Sequence, residues 1–356
     1  MTHPKRMKGL KVTKHIRARS PLRISLSGGG TDIEEYYSVH GGLVINSTIN
    51  KYAYADIKPC KDNIYIARDI ESGETLRIKE EDSKIDFGKK KLQIHQAVNK
   101  RISKDYFNGD NIYCEVSTYC DAPIGSGLGS SSALTVAMVK AYNESLGLGL
   151  DRNTISTLAY SIERKDCGFA GGKQDQYAAT YGGFNLIEFT KDKTIVCPLD
   201  IKNWFRCELE SSIILHFSGI SRTSGDIISD QKILACGKGE RIEYMHRLKE
   251  EVKNMRNALL SCDIDGIQKS LNKSWHLKAK TSETISTEET ERIIKRGLDI
   301  GAKSAKISGA GGGGYIMFIC EPSKAIKVKR ELQSSKRETI FCSFTTKGVE
   351  AWEVEK

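Results

Sequence analysis

The chain has 356 residues, more than one compact core usually contains, so two domains are expected. Hydrophobic residues make up 39% of the chain, as in ordinary globular proteins, and no run approaches the roughly 18 apolar residues of a membrane helix. The basic N-terminus has no apolar segment of the secretory type. These features predict a cytoplasmic protein that does not enter the membrane.

The net charge of +10 leaves nucleic-acid binding open as an alternative. However, the basic residues are spread along the chain and mixed with acids, which favours a solvated surface that attracts anionic small molecules. The ten cysteines form no C-x-x-C pair, so free thiols are expected and a cysteine metal site is not.

Strand-like runs and helical patterns alternate through the first 200 residues. Asp32 to Val39 is predicted to be a short helix, with Asp32 as its N-cap and Glu35 as a capping-box partner. Further helices are predicted at 91–102, 134–146, 153–165 and after the glycines at 171. Strands are predicted at 17–26, 43–49, 52–57, 64–67, 75–78, 111–117, 184–189 and around 195.

A domain boundary is predicted within residues 200–206, and a new strand begins at Ser212. Residues 241–260 carry apolar side chains at alternating steps of three and four, which indicates an amphipathic helix. A helix at 286–300 is predicted to start with a Ser286–Glu289 capping box. Strands at 315–320 and 339–345 and a helix at 324–333 complete the expected pattern. The predicted division is a flexible basic extension at 1–14, an N-terminal domain at 15–205 and a C-terminal domain at 206–356.

The loop from Pro123 to Ala133 follows a strand and opens a helix. Its glycines allow a tight turn and a close backbone approach to a ligand, and the helix N-terminus favours an anion. It lacks the Lys of a Walker A loop and the third glycine of a dinucleotide fingerprint. An N-capped helix after a flexible loop is the structural alternative. The predicted phosphate-binding residues are Gly125, Ser126, Gly127, Leu128, Gly129, Ser130, Ser131 and Ser132.

Two further glycine-rich runs flank this loop in the sequence. Residues 309–314 match G-x-G-x-x-G, but a strand follows where a dinucleotide site needs a helix, so a tight turn against a ligand or another backbone is expected. Residues 21–32 end in Gly-Gly-Gly-Thr-Asp.

Together the three runs resemble the three motifs of the GHMP small-molecule kinases. The second motif, P-x-x-x-G-L-G-S-S, is matched from Pro123 to Ser131, the third by residues 306–315 and the first by residues 21–32. The resemblance covers roughly residues 15–345. It implies two α+β domains, the first like ribosomal protein S5 and the second ferredoxin-like, with ATP and the acceptor in the cleft between them.

The resemblance also implies the catalytic and metal-binding side chains. Glu163 and Asp175, 12 positions apart, match the family's Mg²⁺-binding Glu and its Asp beside the attacked hydroxyl, although the spacing is slightly longer than in mevalonate kinases. Glu163 would bind Mg²⁺ with Ser131, and Asp175 would accept or orient the hydroxyl proton. Arg23 would keep Asp175 ionised and stabilise the transferred group. Taken singly, these residues could instead be a surface Glu, a helix cap and a structural ion pair.

The same resemblance narrows the acceptor to a sugar. The first motif and the segment Ala170 to Ala178 are similar to the branch that phosphorylates heptose 7-phosphate, and Lys173 suits an anionic sugar. Arg222 would meet the same distal phosphate, although both cations could be surface residues. The other implied substrate contacts are Gly30, Thr31, Asp32, Gly311 and Gly312.

The implied activity is ATP- and Mg²⁺-dependent phosphorylation of the anomeric hydroxyl of heptose 7-phosphate to the 1,7-bisphosphate, towards nucleotide-activated heptose for surface polysaccharide. A fucokinase- or galactokinase-like activity and a non-catalytic sensor are the alternatives. The expected partner is a small-molecule sugar phosphate rather than nucleic acid or membrane, and the expected state is a monomer or homodimer.

Overall fold

The computed structural model describes residues 9–79, 92–123, 125–220, 240–335 and 337–355. Strands and helices alternate along all of these ranges. The strands are β1 (Leu10–Lys11), β2 (Ile16–Ser27), β3 (Gly42–Lys58), β4 (Ile64–Asp69), β5 (Thr75–Lys79), β6 (Ile112–Tyr113), β7 (Glu115–Cys120), β8 (Phe184–Phe189), β9 (Thr194–Pro198), β10 (Ile213–Phe217), β11 (Ala302–Ile307), β12 (Tyr315–Cys320), β13 (Thr339–Phe341) and β14 (Glu350–Glu353). The helices are α1 (Glu34–His40), α2 (Gln93–Tyr106), α3 (Ser130–Leu146), α4 (Arg152–Ser161), a π-helical turn (Ile162–Asp166), α5 (Gln174–Tyr181), α6 (Asn203–Ser212), α7 (Glu240–Leu260), α8 (Ile264–Ala279), α9 (Glu288–Ile300) and α10 (Pro322–Leu332).

The larger sheet is built around the long strand β3. The strand order is β14-β2-β3-β7-β4-β5, and β8 and β9 extend the sheet from the first half of β3. All its pairings are antiparallel except that of β4 with β7. Helix α3 packs on β2 and β3 and is buried over most of its length. A residue on the buried part of β2 therefore lies next to the start of α3.

The smaller sheet has the order β11-β12-β10-β13 and is antiparallel throughout. Helices α8 and α9 pack on β11, and α10 packs on β10 and β13. Helices α7 and α8 pack against each other and both reach β2 of the larger sheet. The second sheet and its helices thus close over the end of β2, where the candidate site lies.

The first and the last described strands, β1 and β14, both pair with strands in the first third of the chain. Leu10–Lys11 pairs with Ile112–Tyr113, and Val12 is buried, so residues 10–12 of the predicted loose extension are packed against the fold. At the other end, Glu350–Glu353 pairs with β2. The predicted division at 205 and 206 falls inside Asn203–Ser212, and that division stays a prediction.

Helix starts differ most from the sequence prediction. The first helix begins at Glu34 with Ile33 as its N-cap and no side-chain cap, so the expected cap by Asp32 and capping box with Glu35 were wrong. The capping box of α9 lies one residue later than expected and joins Thr287 to Thr290. Helix α8 was not predicted. Among the described residues, no helix combines the length and apolar character that crossing a membrane requires.

Candidate active site

The phosphate-loop candidate ends at an uncapped helix start. Helix α3 begins at Ser130, four residues before the predicted start, and its N-cap is Gly129 in a left-handed conformation (φ 76°) with no side-chain hydrogen bond. The first-turn N–H groups of a helix have no partner within the helix, and its N-terminus carries partial positive charge. No side chain competes for these N–H groups as an N-cap, and the geometry suits an anion.

The three serines of the helix start have different partners. The Ser130 hydroxyl donates to the Pro123 carbonyl at 3.3 Å and lies 3.1 Å from the Ser126 hydroxyl. The Ser132 hydroxyl accepts from the Gln176 amide at 2.9 Å. The Ser131 hydroxyl is half-buried and donates to Glu163 Oε1 at 3.0 Å. Ser131 is thus the serine that faces the predicted metal-binding carboxylate.

Glu163 is fully buried on the π-helical turn Ile162–Asp166. Its other oxygen, Oε2, accepts from the Gln176 side-chain amide, and the Arg164 guanidinium lies 3.9 Å from Oε1. Arg164 also donates to the Gly172 carbonyl at 3.2 Å, which fixes the turn between Glu163 and the helix carrying Asp175. The longer spacing noted in the sequence is therefore accommodated in a turn held by Arg164.

Arg23 and Asp175 form a two-pronged ion pair. Arg23 Nε donates to Oδ1 and Nη2 to Oδ2 of Asp175, both at 2.8 Å, and Nη1 donates to the Gly127 carbonyl at 2.6 Å. Arg23 is 4% exposed on β2, and the Asp175 side chain on the first turn of α5 is 20% exposed. A Cβ added to Gly129 would lie 3.3 Å from Asp175 Oδ2, so the carboxylate adjoins the start of α3.

The three glycine-rich runs are in direct backbone contact. The Arg23 amide donates to the Leu128 carbonyl at 3.0 Å, and the Tyr315 amide donates to the Ser126 carbonyl at 2.8 Å. Lys306, buried on β11, donates to the carbonyls of Ser25 and Leu26 at 2.9 Å each. Burial lowers the pKa of Lys306 well below its usual value. Motifs far apart in sequence therefore fix one another's positions.

The run 309–314 packs on the phosphate loop rather than opening a helix. A Cβ on Gly127, which has φ 79°, would lie 2.4 Å from the Ser308 carbonyl oxygen, so this close approach requires glycine. The expectation of a tight turn against another backbone is confirmed. Gly311 and Gly312 pack on Ile285, whose carbonyl accepts from the Gly312 amide at 2.7 Å.

Asp32 is buried at the base of the first motif. Its Oδ1 accepts from the Gly30 amide at 3.0 Å and its Oδ2 from the Gln174 amide at 3.2 Å. The Thr31 hydroxyl lies 2.9 Å from the carbonyl oxygens of both Gly28 and Leu43 and can donate its one proton to either, and Thr31 is fully buried. The Thr31 hydroxyl thus braces the loop, and the substrate contact of Thr31 stays a prediction.

The Lys173 side chain ends near two aromatic rings. Its Nζ lies 5.1 Å from the ring centroid of Tyr37 and 5.2 Å from that of Tyr160, within cation–π range. Burial lowers the pKa of Lys173, while the nearby Glu34 acts in the opposite direction. Arg222, the second predicted phosphate contact, lies outside the described residues.

Lys278 is a site residue that the sequence prediction missed. It is 4% exposed near the end of α8, and its ammonium group donates to the Gly309 carbonyl. Burial lowers the pKa of Lys278 to about 8, and the negative charges of Asp32 and Asp175 partly counter this. Its sequence signal was its place on the buried stripe of Ile267, Leu271 and Ser274, where a lysine is unusual.

The carboxylate and hydroxyl at the start of α3 fit one hard cation. Glu163 and Ser131 supply oxygen donors 3.0 Å apart beside the uncapped helix start. Within the described ranges, no group of three His, Cys, Asp or Glu side chains is placed to hold a metal ion. A cation here would therefore need further oxygens from a phosphate ligand and water, which is how Mg²⁺ is commonly held in kinases.

Comparisons with known proteins match both halves of the chain. Residues 93–183 match the family model described as "GHMP kinases N terminal domain" and residues 252–338 match "GHMP kinases C terminal". A D-glycero-alpha-D-manno-heptose 7-phosphate kinase of Campylobacter jejuni is 41% identical, over 96% of this chain and 100% of that protein. The chain belongs to the GHMP kinases.

Two solved structures of related kinases share the whole fold. A protein described as a putative sugar kinase from Campylobacter jejuni is 38% identical with a TM-score of 0.79, covering 96% of this chain and 99% of that one. A protein described as a D-glycero-D-manno-heptose 1-phosphate kinase from Bacteroides thetaiotaomicron is 34% identical with a TM-score of 0.80, covering 96% and 100%. The predicted α+β GHMP kinase fold and the family resemblance are therefore confirmed.

This GHMP kinase is a phosphotransferase that uses an alcohol group as acceptor and ATP as donor. The loop predicted to bind phosphate lies within the matched N-terminal family model, as do Glu163 and Asp175. Arg23 and Asp32 precede that range and are joined to it by the contacts described above.

Proposed function

We propose that this GHMP kinase transfers the γ-phosphoryl group of ATP to the anomeric hydroxyl of D-glycero-D-manno-heptose 7-phosphate, giving the 1,7-bisphosphate. The observation that carries the proposal is the placement of the Arg23–Asp175 pair against Gly129 at the uncapped start of α3. A group that can orient an attacking hydroxyl thereby adjoins a site suited to a phosphate.

The ATP phosphates would lie along residues 125–132, held by loop amides and the α3 N-terminus. Ser131 and Glu163 would hold Mg²⁺ beside these phosphates. When bound, the ion supplies neutralisation of charge on the phosphate oxygens. The burial of Glu163 and its bond from Gln176 fix the direction of the carboxylate.

Asp175 accepts the hydrogen bond of the acceptor hydroxyl and orients its oxygen towards the phosphoryl group. Arg23 holds the Asp175 carboxylate through two parallel bonds, which restricts its rotation. The same guanidinium adds positive charge beside the group in transfer. In-line phosphoryl transfer depends mainly on such positioning and charge.

Two features favour an anionic sugar as acceptor. Lys173 is joined to Asp32, the predicted sugar-binding residue, through its backbone amide, which donates to the Asp32 carbonyl at 3.1 Å, and its ammonium group lies near the rings of Tyr37 and Tyr160. The related Campylobacter protein is named as a heptose 7-phosphate kinase. Because the Bacteroides relative is described as a heptose 1-phosphate kinase, the position of the phosphate on the acceptor needs a direct test.

The test is steady-state kinetics with ATP and five acceptors: heptose 7-phosphate, heptose 1-phosphate, unphosphorylated heptose, fucose and galactose. The proposal predicts the highest kcat/KM for heptose 7-phosphate. A higher kcat/KM for heptose 1-phosphate or for a neutral sugar would overturn it.

Lys173→Met should raise KM for heptose 7-phosphate while KM for ATP stays within twofold, and exposed Lys193→Met is its matched control.

A further inference from the structure

Three polar side chains from separate elements converge on Gly29 in the first motif. A Cβ placed on Gly29 would lie 3.1 Å from the Ser25 hydroxyl oxygen and 3.7 Å from both Gln174 Nε2 and Lys278 Nζ. Ser25 lies on β2, Gln174 on α5 and Lys278 on α8. The missing side chain at Gly29 thus leaves room for about one atom among three hydrogen-bonding groups.

These groups have unused hydrogen-bonding capacity. Ser25 is 3% exposed and Gln174 is 7% exposed, and Ser25 Oγ and Gln174 Oε1 have no hydrogen-bond partner within the described structure. Lys278 Nζ has three donors, of which the described residues engage one, through the Gly309 carbonyl. Buried polar groups are ordinarily satisfied, so this concentration of unused groups indicates a ligand atom or a bound water.

The cluster adjoins both carboxylates of the candidate site. The backbone N–H of Gln174 donates to Asp32 Oδ2, and Gln174 directly precedes Asp175. Asp32 and Asp175 both act electrostatically on Lys278. The space beside Gly29 therefore lies on the acceptor side of the site.

We propose that Lys278, together with Ser25 and Gln174, binds a hydroxyl oxygen of the acceptor sugar in the space beside Gly29. This inference rests on the proposed function and names a sugar subsite in addition to Asp32. A sugar hydroxyl can accept from the Lys278 ammonium or from Gln174 Nε2 and donate to the Ser25 hydroxyl, so it satisfies donors and an acceptor together. An ammonium donor makes this a charge-assisted contact.

Two substitutions test the subsite by different routes. Lys278→Met removes the donor, and Gly29→Ala fills the space while leaving the Lys278–Gly309 bond available. Gly29 is not among the glycines with positive φ, so alanine adds no left-handed strain there. Exposed Lys269→Met on the same helix is the matched control.

Kinetics should use whichever sugar the wild-type enzyme phosphorylates fastest, with ATP varied separately. We expect each variant to raise KM for the sugar roughly 10-fold or more, as loss of a hydrogen bond to a charged group typically does. KM for ATP should change less than twofold, and Lys269→Met should match the wild type. Urea unfolding midpoints identify any general loss of stability, and Gly29→Ala preserves the test if Lys278→Met does not fold.

The pH profile separates a binding role from a merely structural one. Among the described residues, Arg23, Asp32, Asp175 and Lys306 interact electrostatically with Lys278. Because burial lowers the pKa of Lys278 to about 8, its charge is present below that pH and lost above it. KM for the sugar should therefore rise as pH passes about 8, and this rise should disappear in Lys278→Met.

The outcomes distinguish this inference from the proposed function. Unchanged KM for the sugar in folded Lys278→Met and Gly29→Ala would indicate a bound water and overturn the subsite alone. Equal rises in KM for sugar and ATP would indicate a structural role and would also overturn it. If the wild type prefers another sugar over heptose 7-phosphate, the proposed substrate fails while the subsite is tested on that sugar. No sugar phosphorylation by the wild type would overturn both.

Discussion

Asp175 has both of its carboxylate oxygens bonded to Arg23, while its side chain stays 20% exposed and adjoins Gly129 of the phosphate loop. This geometry favours orientation of the acceptor hydroxyl, because the carboxylate cannot rotate freely. The motif match predicted that the two residues would be close, although they lie 152 positions apart in the chain. Their two-pronged arrangement became visible only in the folded protein.

We expect Asp175→Asn to lower kcat roughly 1,000-fold, within the range for loss of a positioned acid–base group. The amide is nearly the same size, so folding should be retained. Turnover under saturating ATP and sugar is the measurement, and exposed Asp192→Asn is the matched control. Turnover of Asp175→Asn within tenfold of the wild type would exclude this role.

Glu163 can be tested through its metal dependence. Glu163→Gln keeps the size of the side chain but removes the negative charge beside Ser131. The Mg²⁺ concentration that gives half the maximal rate should therefore rise roughly 10- to 100-fold, the range typical for altered groups that support a metal site. The measurement is initial rate against Mg²⁺ concentration at fixed ATP. An unchanged Mg²⁺ dependence would contradict the assignment of Glu163 as a metal ligand.

Residues that belong to a motif can be recognised from the sequence, whereas Lys278 cannot, because its importance depends on packing. Lys278 belongs to none of the three glycine-rich runs, and its proximity to Gly29 results from how α8 packs on β2. Thr31 shows the opposite limit. It lies inside a recognised motif, but its hydroxyl is used within the loop, and motif membership alone cannot distinguish a bracing side chain from a contacting one.

At the scale of elements, the site depends on backbone contacts between loops. Gly127 contacts Ser308, and Tyr315 donates to the carbonyl of Ser126. The backbone of the phosphate loop is therefore held in place by residues at the ends of β11 and β12 in the smaller sheet. Changes to this support should affect stability and ATP binding together.

Gly127→Ala should destabilise the protein more than Gly149→Ala does. Both glycines have positive φ, 79° and 69°, so both substitutions carry a left-handed cost of about 1–2 kcal/mol. A Cβ at 127 would also lie 2.4 Å from the Ser308 carbonyl oxygen, whereas nothing lies within 4 Å at 149.

The overpacking at 127 should add about 1–3 kcal/mol to the loss of unfolding free energy and should raise KM for ATP. Denaturant unfolding of both variants and ATP kinetics measure the difference. Equal stability of the two variants would mean that the loop moves freely away from Ser308.

Many strands were predictable because apolar alternation marks them. The unbroken course of strand β3 and the existence of helix α8 were not predictable in this way. Strands predicted at 43–49 and 52–57 are one strand, since Asn50 and Lys51 form a bulge opposite the Pro21–Leu22 step of β2. Helix α8 was missed because its buried face includes Ser274 and Lys278, which weakens the apolar pattern. In both cases the polar residues that obscured the element are explained by tertiary contacts.

At the scale of the whole molecule, strand β14 near the C-terminus forms an edge of the larger sheet. Glu350–Glu353 pairs with β2, the strand that carries Arg23, after the chain has passed through the second sheet. The Arg19–Glu350 ion pair at this edge is 36% and 30% exposed, so it contributes about 1 kcal/mol at most. The backbone pairing is the larger contribution.

Deleting residues 350–356 should therefore lower Tm by several degrees. In proteins of a few hundred residues, each kcal/mol lost from the free energy of unfolding lowers Tm by roughly 2–4 °C. Deleting only residues 355–356 is the control, because it leaves the paired strand intact. Thermal unfolding of both truncated chains is the measurement. An unchanged Tm after the longer deletion would mean that β14 is dispensable to the first sheet.

The proposed activity adds a phosphate at the anomeric position of a sugar that already has a phosphate at position 7. The most direct measurement is ³¹P and ¹³C NMR of the product formed from ATP and heptose 7-phosphate. The proposed function predicts a second phosphate signal coupled to the anomeric carbon, with the 7-phosphate signal retained. A product phosphorylated at any other carbon, or no ATP-dependent product from heptose 7-phosphate, would contradict it.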